Sequence, residues 1–325
     1  MTRSSSATPH AGYAAARQVC RRAWPDVHFA AHLLARADRH ALFVTLAVVE
    51  QLRRIVWSDD HDACGVDATP DVSACDTCTG DTCEQRAKVC AAVLDALLAG
   101  ETTGRADLDA FAAVAHLRQL PRARFDEIAR GWLVERSLRR VATWSRFREL
   151  SRAGWAGAGA LLLHAASGRS PDELPSHARE QVTALFTAAH WTGALHTRAD
   201  GRRRGQLLLP LDDLVRCGLS ERAVDDMLAE PSMLRNDERW RRFFAAATDR
   251  AVNLLRAGEA ALPHLPPPGR KLLAAGHAQL VERWRQIERD PAVVLAPRTD
   301  ASLGKRLRLL PTVWRSLAAS QRARQ

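Results

Sequence analysis

The sequence predicts an all-α fold in a single domain, and three observations carry that prediction. Apolar residues recur at three- and four-residue spacing along most of the chain. No alternating strand pattern runs longer than four residues. Proline and glycine breaks fall about one helix length apart and leave only short connectors. The bulk figures agree: 325 residues, 46% hydrophobic and 26% charged, describe an ordinary globular chain with ample core.

The elements follow in order. Residues 1–14 are polar, lack the apolar stretch of a secretory signal, and read as a flexible tail before a domain spanning 15–318. A break comes at Pro25. Ala41–Trp57 is apolar on most sides as far as Glu50, the pattern of a helix buried inside a bundle. Residues 58–83 form the one long loop. Residues 84–98 resume a helix with Val89, Val93, Leu94, Leu97 and Leu98 on one stripe. Further breaks fall at Gly100–Gly104 and Pro121. The longest apolar run, Ala156–Ala166, is shorter than the roughly 18 residues a membrane span needs. Its leading glycines, Gly154–Gly159, suit close helix packing. Breaks at Gly168–Pro175 and Gly201–Pro210 follow, the second containing a short extended candidate, Gln206–Pro210. After Pro231, residues 239–257 place Trp240, Phe243, Phe244, Ala247, Ala251, Leu254 and Leu255 on one face. Beyond Pro263–Gly269 and Pro291–Pro297, a last helix carries the stripe Leu303, Leu307, Leu310, Trp314 and Leu317, and 319–325 read as a tail. Ten to twelve helices are expected, in a cytoplasmic protein with at most peripheral membrane contact.

Charge and cysteine are the two unusual features. Lys plus Arg number 47 against 37 Asp plus Glu, and only Lys88, Lys271 and Lys305 are lysines. Arginine favours planar, bidentate partners such as phosphate and carboxylate. The surplus points to an anionic partner, or to a coding bias that writes Arg for Lys. A nucleic-acid partner is the weakest of the anionic readings: the arginines are dispersed and no helix-turn-helix stands out. Five of the seven cysteines, Cys64, Cys75, Cys78, Cys83 and Cys90, crowd the long loop and the following helix. Their spacing, C-x10-C-x2-C-x4-C-x6-C, makes Cys64, Cys75, Cys78 and Cys83 candidate ligands for a structural zinc or an iron–sulfur cluster, with His61 in reserve. Cys90 falls inside the helix and reads as core; a disulfide remains open.

The order of several short motifs resembles the squalene/phytoene synthase family, the head-to-head prenyl synthases. His28–Phe43 resembles the family's opening helix pair. Gly131-Trp-Leu-Val-Glu135 with Val141-Ala-Thr-Trp144 resembles G-M-x-x-D-L…Y-x-T. Trp155-Ala-Gly-Ala-Gly159 resembles V-A-G-x-V-G. Arg203-Arg-Gly-Gln-Leu-Leu-Leu-Pro210 resembles R-R-G-R-x-Y-L-P, and Arg283–Glu288 resembles a C-terminal family helix. The resemblance runs over about residues 26–317. It implies an isoprenoid-synthase-type helical bundle around a central cavity and a role in isoprenoid (terpenoid, hopanoid or carotenoid) metabolism. It also implies two Asp-rich motifs holding Mg²⁺ on a prenyl diphosphate.

The chain departs from the family at those motifs. The leading aspartates of the first fall on Arg53 and Arg54, and the third on Trp57. Those of the second fall on Thr197 and Gly201, with Asp200 the nearest carboxylate. The family's tyrosines near the second helix and in the C-terminal helix are absent. Exchanging Asp for Arg reverses the local charge, so a magnesium cluster is not expected there. Glu135 keeps the family's middle acidic position, and Glu135 and Asp200 are residual acid/base or metal candidates. Asp59, Asp60 and Asp62 follow the first motif closely enough to rebuild a site. Arg53 and Arg54, facing Arg202, Arg203 and Arg204, would grip a diphosphate directly; alternatively, Arg53 and Arg54 pair with Glu50 one turn away. The leading expectation is a catalytically degenerate relative that binds a prenyl diphosphate or isoprenoid, or partners an active synthase. The alternative is an active prenyltransferase with an altered metal site.

Overall fold

Helix-forming residues with one apolar face bury it by packing helix on helix, and the computed structural model is such an assembly. It describes residues 9–57, 81–197, 201–202, 204–230, 232–295 and 308–322. The helices are α1 (Pro9–Ala23), α2 (Pro25–Ala31), α3 (Arg36–Trp57), α4 (Asp81–Leu98), α5 (Ala106–Asp109), α6 (Phe111–Arg118), α7 (Arg122–Ser137), α8 (Trp144–Ser151), α9 (Gly157–Ser167), α10 (Ser176–His196), α11 (Leu211–Arg216), α12 (Glu221–Ala229), α13 (Met233–Asn236), α14 (Glu238–Ala260), α15 (Pro267–Arg289) and α16 (Leu310–Arg322). The excess over ten to twelve comes from short pieces such as α2, α5, α11 and α13, too brief to show a period in sequence. α1 starts at Pro9 and α16 runs to Arg322, so helix reaches into both segments expected as tails.

α3 is the central element. Ala41 through Leu52 are all buried, as its pattern predicts. α9, α7 and α1 pack around it, and the Arg86 guanidinium of α4 caps its C-terminal end at the Ile55 carbonyl. α10 lies against α14, whose predicted face of Trp240, Phe243, Phe244, Ala247 and Ala251 is buried. On α4, Val89 is exposed and Cys90 takes the core position instead.

The Gly154–Gly159 run does bring helices close. Arg152–Ala156 forms a π-helical turn between α8 and α9, pressed on α7. A Cβ on Gly131 would sit 2.6 Å from the backbone of Ala153 and Gly154, and one on Gly159 would enter the Phe186 ring. Leu207 is extended as expected and pairs with the 139–141 segment: its N–H donates to the Arg139 carbonyl, and the Val141 N–H donates to the Leu207 carbonyl.

The last helix departs from its sequence pattern. Leu310, Trp314 and Leu317 were the expected inner stripe, yet Val313, Ser316 and Ser320 form the buried side. The inward face is anchored by a hydrogen bond from Ser316 Oγ to Glu259 Oε1 of α14 (3.0 Å), which a leucine face could not supply. Leu303 and Leu307 lie outside the described residues. Among those described, no helix is long and apolar enough to cross a membrane.

Candidate functional site

Two buried carboxylates organise the interior where the family motifs converge. The first is Glu50, 2% exposed, on α3. Its side chain accepts from four N–H groups: Trp24 Nε1 (3.0 Å), Arg53 Nε (2.8 Å), Arg53 Nη2 (2.9 Å) and Arg54 Nε (3.0 Å). A single helix turn makes this possible, because residues three and four apart share a face. Burial alone would raise the Glu50 pKa, but the hydrogen bonds and positive charge of Arg53, with those of Arg54 and Trp24, outweigh it and hold the group below its ordinary value. The pairing with Glu50 foreseen as one reading of Arg53 and Arg54 is the arrangement found.

The second is Glu135 on α7, also 2% exposed. Trp155 Nε1 of the π turn donates to one oxygen (3.0 Å), and His190 Nε2 of α10 lies 3.3 Å from the other. His190 Nδ1 is 2.6 Å from Ser151 Oγ of α8. A carboxylate only accepts, so it selects the tautomer with the proton on Nε2, and Nδ1 then accepts from the serine hydroxyl. The types match a Ser-His-acid nucleophile relay, but Ser151 is 0% exposed and leaves no room for a substrate carbonyl. The chain ties α7, α8, α10 and the π turn together. The sequence reading missed it. Its members lie up to 55 positions apart, and a single histidine on an apolar helix carries no spacing signal.

The two centres meet through indoles. Trp24 and Trp155 have ring centroids 6.1 Å apart, and Trp155 contacts Trp132 at 5.5 Å. Trp132 is fully buried, whereas Trp24, Trp155 and Trp57 are each partly exposed. Trp24 and the arginines of α3 thus meet at Glu50, with Trp155 beside Trp24. Arg204 joins this group, its guanidinium 5.4 Å from the Trp57 ring centroid. Arg202 does not: it forms a bidentate pair with Asp225 of α12 (2.7 Å each) and lies near Glu221.

A magnesium cluster does not fit these residues. Guanidinium groups occupy the first motif, and every described position of the second motif lacks a carboxylate. Thr197 there returns its hydroxyl to the Gly193 carbonyl. Both buried carboxylates are already engaged by N–H donors, and among the described residues no three His, Cys, Asp or Glu side chains converge. Asp200, Arg203, Asp59, Asp60, His61, Asp62, Cys64, Cys75 and Cys78 lie outside the described residues. Cys83 stands half-buried at the start of α4 with a free thiol, and Cys90 is buried, its thiol pushed up to about 12 chiefly by burial. Two open pockets, of 580 and 490 Å³, lie on the flanks and are lined by neither Glu50, Glu135 nor the α3 arginines.

Comparison with known proteins places this architecture. The chain resembles the crystal structure of squalene synthase HpnC from Alicyclobacillus acidocaldarius at 17% identity and TM-score 0.66, covering 89% of this chain and 97% of that one. It resembles a dehydrosqualene synthase in complex with ligand at 14% identity and TM-score 0.73, with 96% and 98% covered. YisP from Bacillus subtilis subsp. subtilis strain 168 matches at 12% identity and TM-score 0.63, with 93% and 96% covered. At these identities the likeness establishes the fold. No curated protein matches the sequence. The sequence model of squalene/phytoene synthase does match, over residues 20–309, nearly the whole domain, and the chain belongs to that family.

Proposed function

We propose that this member of the family serves isoprenoid metabolism by holding a prenyl diphosphate without turning it over. The observation that carries the reading is the Glu50–Arg53–Arg54 cluster. Where the resemblance calls for aspartates that bind metal, the chain has built two guanidiniums oriented by a buried carboxylate. Arg53 and Arg54 each keep N–H donors beyond those given to Glu50, and Arg204 stands nearby on Trp57. Three guanidiniums beside one carboxylate suit a diphosphate. The partly exposed rings of Trp24 and Trp155 offer an apolar surface for the first isoprene units. Ionising an allylic diphosphate requires strong neutralisation of the leaving group, and the described residues provide no metal-binding carboxylates for it. A chain of this kind would deliver or shield a prenyl diphosphate for an active synthase.

The test is direct. Farnesyl diphosphate is titrated into the protein by calorimetry with and without Mg²⁺, and pyrophosphate release is followed in parallel with Mg²⁺ or Mn²⁺ and NADPH. Binding that needs no metal, with no release, is expected. Exchanging Arg54 and Arg204 together for Gln should weaken it at least tenfold, each charged hydrogen bond being worth about 1.5–3 kcal/mol. Metal-dependent release of pyrophosphate would overturn the proposal and show that the arginines serve a working enzyme. Undiminished affinity in the double variant would move the ligand elsewhere.

A further inference from the structure

Each buried carboxylate of the site holds the N–H of a tryptophan that burial does not oblige it to serve. Trp24 gives its indole N–H to Glu50, and Trp155 gives its own to Glu135 (3.0 Å each). Both rings are partly exposed, and an indole at the surface can give its N–H to water. The fully buried Trp132, 5.5 Å from the Trp155 ring, has no hydrogen-bond partner for its N–H among the described residues. The same holds for buried Trp240. Burial alone would call for an acceptor at Trp132. At Trp155 the carboxylate fixes the direction of a half-exposed ring instead.

Trp155 is gripped on further sides. It sits on the π turn Arg152–Ala156, and such a turn adds a residue to the helical course and re-aims the side chains it carries. The His190 ring stacks on the Trp155 ring at 5.3 Å and is itself stacked on Phe147 at 4.6 Å. His190 Nε2 meets the second Glu135 oxygen, and Nδ1 meets the Ser151 hydroxyl. Glu135, His190 and Ser151 are all buried, yet every polar atom of their side chains is engaged. A buried network satisfied in full is rigid. One histidine thus both braces the ring and orients the carboxylate that holds it.

We propose that Glu135 is a positioning residue: with His190 and Ser151 behind it, it fixes the Trp155 ring as a wall for the chain of the prenyl diphosphate. The inference rests on the reading that Arg53, Arg54 and Arg204 grip the diphosphate, and it names what selects the other end of the ligand. Trp24, tied to the same Glu50 that orients Arg53 and Arg54, stands 6.1 Å from Trp155 with the rings tilted by 51°. An isoprene unit is flat at its double bond and lies well on an indole face, and a ring already fixed loses little freedom on contact. The acidic position kept from the family thus holds a ring in place, not a metal or a substrate proton. That role needs acceptors in the right places and no negative charge.

Farnesyl diphosphate and pyrophosphate are titrated without metal into the full chain and into Trp155→Ala, Glu135→Leu and Glu135→Gln, each checked by circular dichroism melting. The readout is the preference for farnesyl diphosphate over pyrophosphate, which separates the ligand's chain from its head. Trp155→Ala should cut the preference about tenfold through the lost indole face, and Glu135→Leu about as much by setting the ring free. Glutamine keeps one oxygen for Trp155 and turns its NH2 on His190, whose other tautomer accepts there and donates from Nδ1 to Ser151. Glu135→Gln should therefore keep the preference, and nitrogen NMR of histidine-labelled protein should show one histidine moving its proton from Nε2 to Nδ1. Should Glu135→Leu fail to fold, Trp155→Ala and Glu135→Gln decide alone. A preference lost in Glu135→Gln, or kept in Trp155→Ala, would overturn the proposal. So would a wild type that binds both probes equally, or an unchanged tautomer. These results leave the diphosphate grip standing, because both probes would still bind through Arg54 and Arg204. A wild type that binds neither probe would overturn the grip and the wall together.

Discussion

Glu50 shows how one substitution pattern rewrites a site. In a metal-binding helix the carboxylates face a cation from outside; here the single buried carboxylate faces cations from its own helix. Its pKa lies below its ordinary value because Arg53, Arg54 and Trp24 donate to the charged form more strongly than burial opposes it. A depressed carboxylate pKa means the unfolded chain binds the proton more readily. The stabilisation is thus complete above the ordinary value of 4.5 and is lost as pH falls below it toward the folded value. Glu50→Gln should cost about 1–2 kcal/mol at neutral pH, below the roughly 3–5 kcal/mol of a fully buried broken pair, because Arg53 and Arg54 are exposed enough to rehydrate. Urea midpoints at pH 7 and pH 4 check this. The gap between wild type and variant should narrow at the lower pH, and a gap independent of pH would contradict the ionised carboxylate as its source.

At the scale of elements, helix-to-helix distance is set by glycine at the junction of α7 and the π turn. A methyl group on Gly131 would lie 2.6 Å from the Ala153 carbonyl carbon and the Gly154 nitrogen, all backbone. Backbone cannot rotate aside as a side-chain end can, so Gly131→Ala should push α7 off the turn and cost about 2–3 kcal/mol. The displacement would also strain the bond from Trp155 to Glu135. Thermal melting should show the loss, while Gly193→Ala, with open space around its Cβ, should not. An unchanged melting point in Gly131→Ala would mean that the junction is loose. The same junction shows what a sequence reveals. Glycine spacing and apolar period are local, so the helices, their breaks and the close packing at Gly154–Gly159 were legible. Glu50 with Arg53 and Arg54 was legible for the same reason, being three and four residues apart. The Ser151–His190–Glu135 chain was not, since it joins three helices through contacts that no spacing records. Nor was the orientation of α16: Leu310, Trp314 and Leu317 have the stronger apolar pattern, but Glu259 on α14 offers a polar anchor that only Ser316 can take.

Across the whole molecule, the net charge of +10 comes from arginines distributed over many helices, a part of them in ion pairs with carboxylates, rather than along one stripe. Most of these pairs are exposed and each contributes little to stability. Acid sensitivity should therefore come from the few buried titratable groups. His164 on α9 and His277 on α15 both have pKa values pushed below the ordinary 6.5, chiefly by burial, although Glu259 partly opposes this at His277. Their folded forms resist protonation, while the unfolded chain takes up a proton at each site as pH falls through 6.5. Stability is complete above that value and declines below it, until the folded values are reached, by up to about 1.4 kcal/mol per pH unit for each histidine. The Glu50 contribution is still intact in this range, because it is lost only below 4.5. Acidification should thus weaken the protein in two separate windows, the first set by histidines on α9 and α15 and the second by the carboxylate of α3. Urea midpoints should hold between pH 7.5 and about 6.5 and then fall toward pH 5.5 in the wild type, and fall more gently in a His164→Gln, His277→Gln variant. Parallel slopes would place the upper window elsewhere in the molecule. A flat wild-type profile above pH 5.5 would mean that both histidines take up protons in the fold, with the packing around α9 and α15 open enough to hydrate them.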